Sequence, residues 1–260
     1  MELVSILMTI YNGAHIIDES MNAILNQTYN NIEIVIVNDG STDKTSEIVN
    51  NYKERDSRII FIDRKENKGR SYSLNEGLSA CAGRYVAIND ADDISEIDRI
   101  EVMLKFIEDN NIANLFGVVG SSHVEENRLV GTTEKYHLKR GTFGNKVSNA
   151  RMFLGMPFIH SSFIYNKNAL MEVGGFASDV SASIDYFTLI KIAKKYPIYA
   201  CSKVTVKRVV DGRNYFLKKD VLANKEKNQL VIDLWQRRNM DNYQIYKIIK
   251  LLNELKKRFI

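Results

Sequence analysis

Over the first hundred residues, short β-branched runs alternate with stretches whose apolar residues recur at helical spacing. Residues 3–10, 32–37, 58–62 and 84–88 read as strands, and 15–26, 43–54, 70–81 and 95–108 read as helices. Ile16, Ile17, Met21, Ile24 and Leu25 line one face of the first helix. Ile97, Ile100, Met103, Leu104 and Ile107 do the same for the fourth. The strand runs are apolar throughout rather than alternating, which marks strands buried on both faces. Such βα repeats fold as a mostly parallel sheet covered by helices, with right-handed crossovers. The expected fold class is therefore α/β.

Two of these strands end in acids. Tyr85-Val86-Ala87-Ile88-Asn89 leads into Asp90-Ala91-Asp92-Asp93. Clustered carboxylates repel unless a cation lies among them, and hard ions such as Mg²⁺ and Mn²⁺ prefer carboxylate oxygens. The bland reading is an acidic turn into the helix near Ser95, with Asp93 or Ser95 as its cap. Ile34-Val35-Ile36-Val37-Asn38 likewise stops at Asp39, then turns through Gly40-Ser41-Thr42-Asp43. Ligands of open α/β sheets bind outside the carboxyl ends of the strands, so both acidic ends are expected on one rim. The alternative for Asp39 is a turn residue bonding its own backbone.

Beyond residue 114 the pattern loosens. Strands are expected at 115–119, 122–129, 158–166, 198–201 and 204–209. Residues 131–150 read as an irregular stretch over the rim, with a weak helix near 145–151. A short helix over 167–173 stops at Gly174-Gly175, and a helix over 183–196 ends at Pro197. From about residue 214 the chain is helix-rich.

At 260 residues the chain can bury one sizeable core with a small appendage. Cys81 and Cys201 lie far apart in apolar or small-residue contexts, with no zinc spacing, and read as reduced packing residues. No apolar stretch approaches the ~20 residues that cross a bilayer, and the amino terminus has no signal-peptide charge pattern. A cytoplasmic location is expected. The net charge is +4, unevenly spread. From Lys203 onward there are 15 Lys and Arg against 6 Asp and Glu, and before it 21 against 26. The basic end suits an anionic surface or is simply a solvated helix.

Several ordered segments together resemble one family. They are Val4-Ser5-Ile6-Leu7-Met8-Thr9-Ile10-Tyr11-Asn12, Gln27-Thr28-Tyr29, the run from Glu33 to Asp43, Glu66-Asn67-Lys68-Gly69, and Gly83-Arg84-Tyr85 leading to Asp90-Ala91-Asp92-Asp93. The chain is similar to the family 2 glycosyltransferases, densely over about 3–110 and loosely over 155–200. The resemblance implies the Rossmann-like GT-A fold, a nucleotide-sugar donor (a UDP-sugar above all), Mn²⁺ or Mg²⁺, and inverting transfer of a hexosyl or N-acetylhexosaminyl group. It puts Tyr11 against the base and Asp39 on the base's ring N–H. Thr9, Asn12, Asn67, Lys68 and Ala91 join the donor site, and Asp90 reaches ribose or sugar hydroxyls. Asp92 ligates the metal. Asp185 becomes the general base that deprotonates the acceptor, with Asp179 its nearest competitor. His160 reads first as a hydrogen-bonded structural histidine and second as an acceptor or metal contact, with Asp93 an accessory. Phe158, Arg213 and Trp235 are candidates for an acceptor path. Three positions depart from the family: Thr9 where proline is usual, Leu74 where arginine is frequent, and Ile184 where an acid usually precedes the base.

The expected organisation is a GT-A domain over 1–205, with a nucleotide-sugar half at about 1–110 and an acceptor half at 111–205. A basic helical extension occupies 206–260. Its stripe of Ile245, Ile248, Ile249, Leu252 and Leu255 suits docking on the domain, a homo-oligomer, or peripheral contact with the inner face of a membrane. The implied acceptor is a glycan, a lipid-linked sugar or a glycoprotein. Nucleic acid is not an expected partner, since no helix-turn-helix, zinc or RNA-binding motif is present. Two rival readings remain. One is a non-catalytic nucleotide-sugar-binding scaffold. The other is a sugar nucleotidyltransferase, for which Tyr11-Asn12-Gly13-Ala14-His15 is a poor match to the Gly-rich, arginine-bearing loop required.

Overall fold

Val4–Ile10 forms β1, the strand on which the rest of the sheet is laid. β2 (Ile32–Asn38) and β4 (Tyr85–Ile88) flank it in parallel, and β3 (Ile59–Asp63) adds in parallel beyond β2. The order β3-β2-β1-β4 reverses direction at β1, which opens a crevice at the carboxyl ends of β1 and β4. The computed structural model describes residues 1–136, 142–143, 145–147, 156, 158–180 and 183–210.

Side chains alternate across this sheet and build two cores. Ile6, Met8, Ile34 and Ile36 face Ile17, Met21 and Ile24 of α1 (Ile17–Leu25), Val49 of α2 (Thr45–Arg55), and Ile100, Met103 and Ile107 of α4 (Arg99–Asp109). Leu7, Val35, Val37, Val86 and Ile88 face Leu74 and Leu78 of α3 (Arg70–Ala80), Leu170 of α5 (Lys167–Glu172), and Leu189 and Ile190 of α6 (Ile184–Ala193). Burying each such side chain contributes about 1.5–3 kcal/mol, so the two cores outweigh any single polar contact at the rim. Cys81 and Cys201 are buried free thiols.

Beyond β4 the pairing becomes mixed. β5 (Asp93–Ser95), β6 (Val118–Asn127), β7 (Thr132–Tyr136), β8 (Thr142–Phe143), β9 (Lys146–Val147), β10 (Phe163–Asn166) and β11 (Ile198–Val210) complete the sheet. β10 is antiparallel to both β4 and β6, while β11 runs parallel to β6.

Several sequence expectations are corrected here. Asp93–Ser95 is a strand because its backbone pairs with β11, Asp93 opposite Arg208 and Ser95 opposite Val206. Helix α4 therefore starts at Arg99 after Asp98, neither Asp93 nor Ser95 caps it, and Ile97 is 58% exposed. Residues 115–129 hold one strand rather than two, and residues 198–210 hold one strand with register shifts at Cys201/Val204 and Val204/Val206. That last strand passes residue 205. The stretch after Gly131 is not wholly irregular: Gly131, at φ +68, turns the chain so that β7 pairs back on β6. Lys146–Val147 is strand where a weak helix is expected. The tail expected to be helical, with Arg213 and Trp235, lies outside the described residues.

Candidate functional site

The strand ends β1, β2 and β4 bring the expected donor residues to one rim. Asp39 N–H donates to the Ile10 carbonyl at 2.8 Å, and Asn89 N–H donates to the Leu7 carbonyl at 3.0 Å. These bonds carry the sheet one residue past β2 and β4, so both acidic ends leave it beside β1. Thr9 is half-buried in β1, and Tyr11, 52% exposed, stands just past its end. Asn12 adopts the left-handed region at φ 50, which asparagine tolerates. Its N–H donates to Ser41 Oγ at 2.8 Å, and its Oδ1 accepts from Thr42 N–H at 2.8 Å. Asn12 thus ties the β1 loop to the turn after Asp39.

Gly40 has φ +71, and a Cβ there would lie 2.4 Å from the Glu66 carbonyl carbon. The glycine lets the 66–69 loop press onto the Asp39 turn. As a result, Lys68 N–H donates to Asp39 Oδ1 at 2.8 Å. Arg64 Nη2 donates to the same oxygen at 2.6 Å. Lys68 Nζ lies 4.9 Å from the centre of the Tyr72 ring, and Asn67 Oδ1 accepts from Gly69 N–H at 3.1 Å.

The second acidic end is more crowded. Asp90, Asp92 and Asp93 can each place one carboxylate oxygen within 4.8 Å of the others. Ala91 between them is buried and offers only backbone. Arg70, from the first turn of α3, pairs with Asp90 at 2.5 Å. Burial opposes the Asp90 charge, but Arg70 holds that carboxyl below the usual range. Burial, then the Asp90 charge, pushes Asp92 up, and burial with both neighbouring carboxylates pushes Asp93 well up. Asp93 Oδ2 accepts from Ser161 Oγ at 2.5 Å. Three oxygen-bearing acids at this separation, two of them disfavoured as anions, fit a hard divalent cation.

A buried arginine underlies this turn. Arg99 is 1% exposed. It donates to the Ile88 and Phe163 carbonyls, Asn89 Oδ1 and Ser95 Oγ, at 2.8–3.3 Å. Burial brings its guanidinium down to about 10, still charged at neutral pH.

His160 opens a 3-10 turn (His160–Ser162) before β10, rather than lying within a strand over 158–166. Arg70 Nη2 lies 3.1 Å from its Nδ1, and its Nε2 lies 3.2 Å from Tyr165 Oη. An arginine can only donate, so Nδ1 accepts and Nε2–H donates to the tyrosine. Burial among Phe163, Tyr165 and Phe176 lowers the imidazole to about 4 and keeps it neutral. Phe158, also buried, packs edge-on against Phe163. Asp185 lies in the first turn of α6, after Ser183 in the left-handed region at φ 55. Its Oδ1 accepts from Tyr186 N–H at 2.9 Å. Burial opposes the Arg70 charge, but Asp90 above all, then Asp185 and Asp92, hold its guanidinium more firmly protonated than usual. Asp179 is instead 3.7 Å from Lys191.

The structure thus gathers Asp90, Asp92, Asp93, His160 and Asp185 around Arg70, and groups Asp39 with Lys68 beside them. Sequence reading missed Arg64, Arg99 and Ser161. Arg99 is detectable as an arginine in phase with the core residue Met103 four positions on. Arg64 follows Asp63, which pairs with Asn38, so strand alignment places it at the Asp39 rim.

The family model described as "Glycosyl transferase family 2" matches residues 5–174. An uncharacterized glycosyltransferase of Haemophilus influenzae is 36% identical over 65% of this chain and 53% of its own. Chondroitin synthase of Escherichia coli is 27% identical over 98% of this chain and 36% of its own, an alignment that runs into the tail. The chain spans about half the length of the Haemophilus relatives it matches, 53% and 55%. Staphylococcus aureus TarS 1–349 in complex with UDP-GlcNAc is similar in fold, with TM-score 0.67 and 20% identity, covering 84% of this chain and 61% of that one. The mannosyltransferase PcManGT from Pyrobaculum calidifontis, in complex with GDP-Man and Mn²⁺, has TM-score 0.62 and 23% identity over 92% of this chain and 65% of that one.

Proposed function

This chain belongs to glycosyl transferase family 2, and from that premise we propose that it is a metal-dependent, inverting transferase moving a sugar from a nucleoside diphosphate, UDP above all, to an acceptor hydroxyl. The observation that carries the reading is the cluster of Asp90, Asp92 and Asp93 at the end of β4, with Arg70 paired to Asp90 and acted on by the charge of Asp185. Tyr11 offers a π face to the base and Asp39 accepts its ring N–H. Asp90 bonds ribose or sugar hydroxyls. Asp92, with its neighbours, would hold Mn²⁺ or Mg²⁺, which supplies Lewis-acid neutralisation of the charge that grows on the departing diphosphate. Asp185 takes the proton from the acceptor hydroxyl. The acceptor oxygen then bonds to the anomeric carbon from the face opposite the diphosphate, whose bond to that carbon breaks as the nucleoside diphosphate leaves. The transition state is oxocarbenium-like. Arg70 supplies a cation beside the diphosphate, in a helix whose family arginine position is the buried Leu74.

The acceptor we propose is a glycan or lipid-linked sugar, met on the cytoplasmic side of a membrane; no described helix is long and apolar enough to cross one. Calorimetry with a panel of nucleotide-sugars, with and without Mn²⁺, tests the donor site. Asp185→Asn is expected to bind donor within about twofold of the parent while transfer drops about a thousandfold, within the range of general-base catalysis. A folded protein that binds no nucleotide-sugar would sink the transferase reading. Binding with no turnover, unaffected by Asp185→Asn, would favour the non-catalytic scaffold.

A further inference from the structure

We propose that Arg64 decides which base the donor carries, by closing one oxygen of Asp39; the inference rests on the donor-site reading above. Asp39 is only 4% exposed. Its Oδ1 accepts two hydrogen bonds, from Arg64 Nη2 at 2.6 Å and from Lys68 N–H at 2.8 Å. A carboxylate oxygen offers about two lone-pair sites, so Oδ1 is filled. Among the described residues no hydrogen bond reaches Oδ2. A ligand therefore meets one carboxylate acceptor at Asp39, not a parallel pair.

Arg64 is locked in this role. Its side chain is 10% exposed. Nη2 also bonds Ser73 Oγ, and Nε lies 3.3 Å from Glu76. The Tyr72 ring covers the guanidinium with its centre 4.7 Å away. Nε and Nη1 are buried and make no hydrogen bond among the described residues, so it is burial, the Nη2 bonds and the Tyr72 ring that hold the guanidinium in place. Arg64 acts through Asp39 and is a positioning residue.

The bases differ in what they ask of such a carboxylate. Uracil presents one ring N–H between two carbonyl oxygens, and a single acceptor satisfies it. Guanine presents N1–H beside an exocyclic amine, two parallel donors that call for both carboxylate oxygens. With Oδ1 filled, that amine finds no second acceptor on the buried Asp39, and unpaired buried donors are strongly disfavoured. Adenine and cytosine can give Oδ2 only their exocyclic amine, which brings the neighbouring ring-nitrogen lone pair toward the carboxylate at an electrostatic cost. The single open acceptor of Asp39 therefore favours a base with one ring N–H flanked by carbonyls, as in uracil or thymine. The fold alone leaves this open, since one similar structure holds UDP-GlcNAc and another holds GDP-Man.

The test is calorimetric binding of UDP, GDP and IDP to the full chain with Mn²⁺. IDP is GDP without the exocyclic amine. The parent protein is expected to bind UDP about thirtyfold more tightly than GDP, and IDP at least as tightly as GDP. In Arg64→Met, Oδ1 regains a lone pair, and GDP is expected to gain about fivefold over IDP. Arg64→Lys, which keeps a cation for Oδ1, is expected to retain the parent order. GDP binding tenfold tighter than IDP in the parent protein would show a bidentate carboxylate and overturn the proposal, with no variant needed. So would a UDP-to-GDP ratio that a folded Arg64→Met leaves unchanged. If the parent binds none of the three, the donor-site reading fails and this inference falls with it. UDP binding with the wrong GDP and IDP order removes only Arg64 from base choice.

Discussion

Asp39 and the Asp90–Asp93 turn close parallel strands on either side of β1, and a β-branched run leads into each. Their electrostatics differ. Asp39 is one carboxylate with a guanidinium and a backbone N–H on one oxygen. The Asp90–Asp93 turn holds three carboxylates, and the guanidinium that pairs there, Arg70, reaches Asp90. Arg99 lies beneath but gives its hydrogen bonds to carbonyl, amide and hydroxyl oxygens. Burial first, and then the charge of the neighbouring carboxylates, disfavours Asp92 and Asp93 as anions. The first end is balanced as folded, whereas the second is short of positive charge. A strand-end acid is therefore not itself a metal signal; the ratio of acids to the cations that tertiary structure delivers is what counts.

The widest separation between the two ends comes from Asp92→Ala. Transfer is expected to fall about a thousandfold, and Mn²⁺ should no longer strengthen nucleotide binding in calorimetry. A variant that keeps its Mn²⁺ dependence would erase the contrast. Next, Arg99→Met removes the buried cation from under the second end. Urea unfolding should show a loss of about 3 kcal/mol, because the oxygens it served are left buried and unpaired. Unchanged stability would mean that the turn is held by its strand pairing alone. The metal effect itself is smaller. Mn²⁺ without nucleotide, at a hundredfold excess over its Kd, should stabilise the parent by about 2.7 kcal/mol and raise Tm, with no shift in Asp92→Ala. Smallest is Asp39→Asn, expected to weaken UDP binding about tenfold while leaving the Mn²⁺-induced rise in Tm intact. If Asp39→Asn abolished that rise, the two ends would be one site rather than two.

Legibility was uneven for a physical reason. Strand runs and helical stripes in the first half were readable because each face is written locally, every second or every three to four residues. The α4 start was not, because residues 93–95 became strand only by pairing with β11, more than a hundred positions away. The 3-10 turn at His160 likewise depended on distant partners, Arg70 on His160 and Asp90 and Asp93 on Ser161; the hairpin after Gly131 pairs locally, but its second strand is polar and exposed and carries no apolar alternation to read. Asp185 was named from a family pattern; that its charge acts on Arg70 follows only from the folded chain.

By itself, then, the sequence determined the βα alternation, the two-sided cores, and the arrival of Asp39 and Asp90–Asp93 at strand ends on one rim. Only the tertiary structure decided which cation meets which acid: Arg64 on Asp39, Arg70 on Asp90, Arg99 beneath the turn. Apolar periodicity encodes which face a residue takes, but charge pairing acts across space. A guanidinium on a long flexible stem finds its partner only once the strands have set their register.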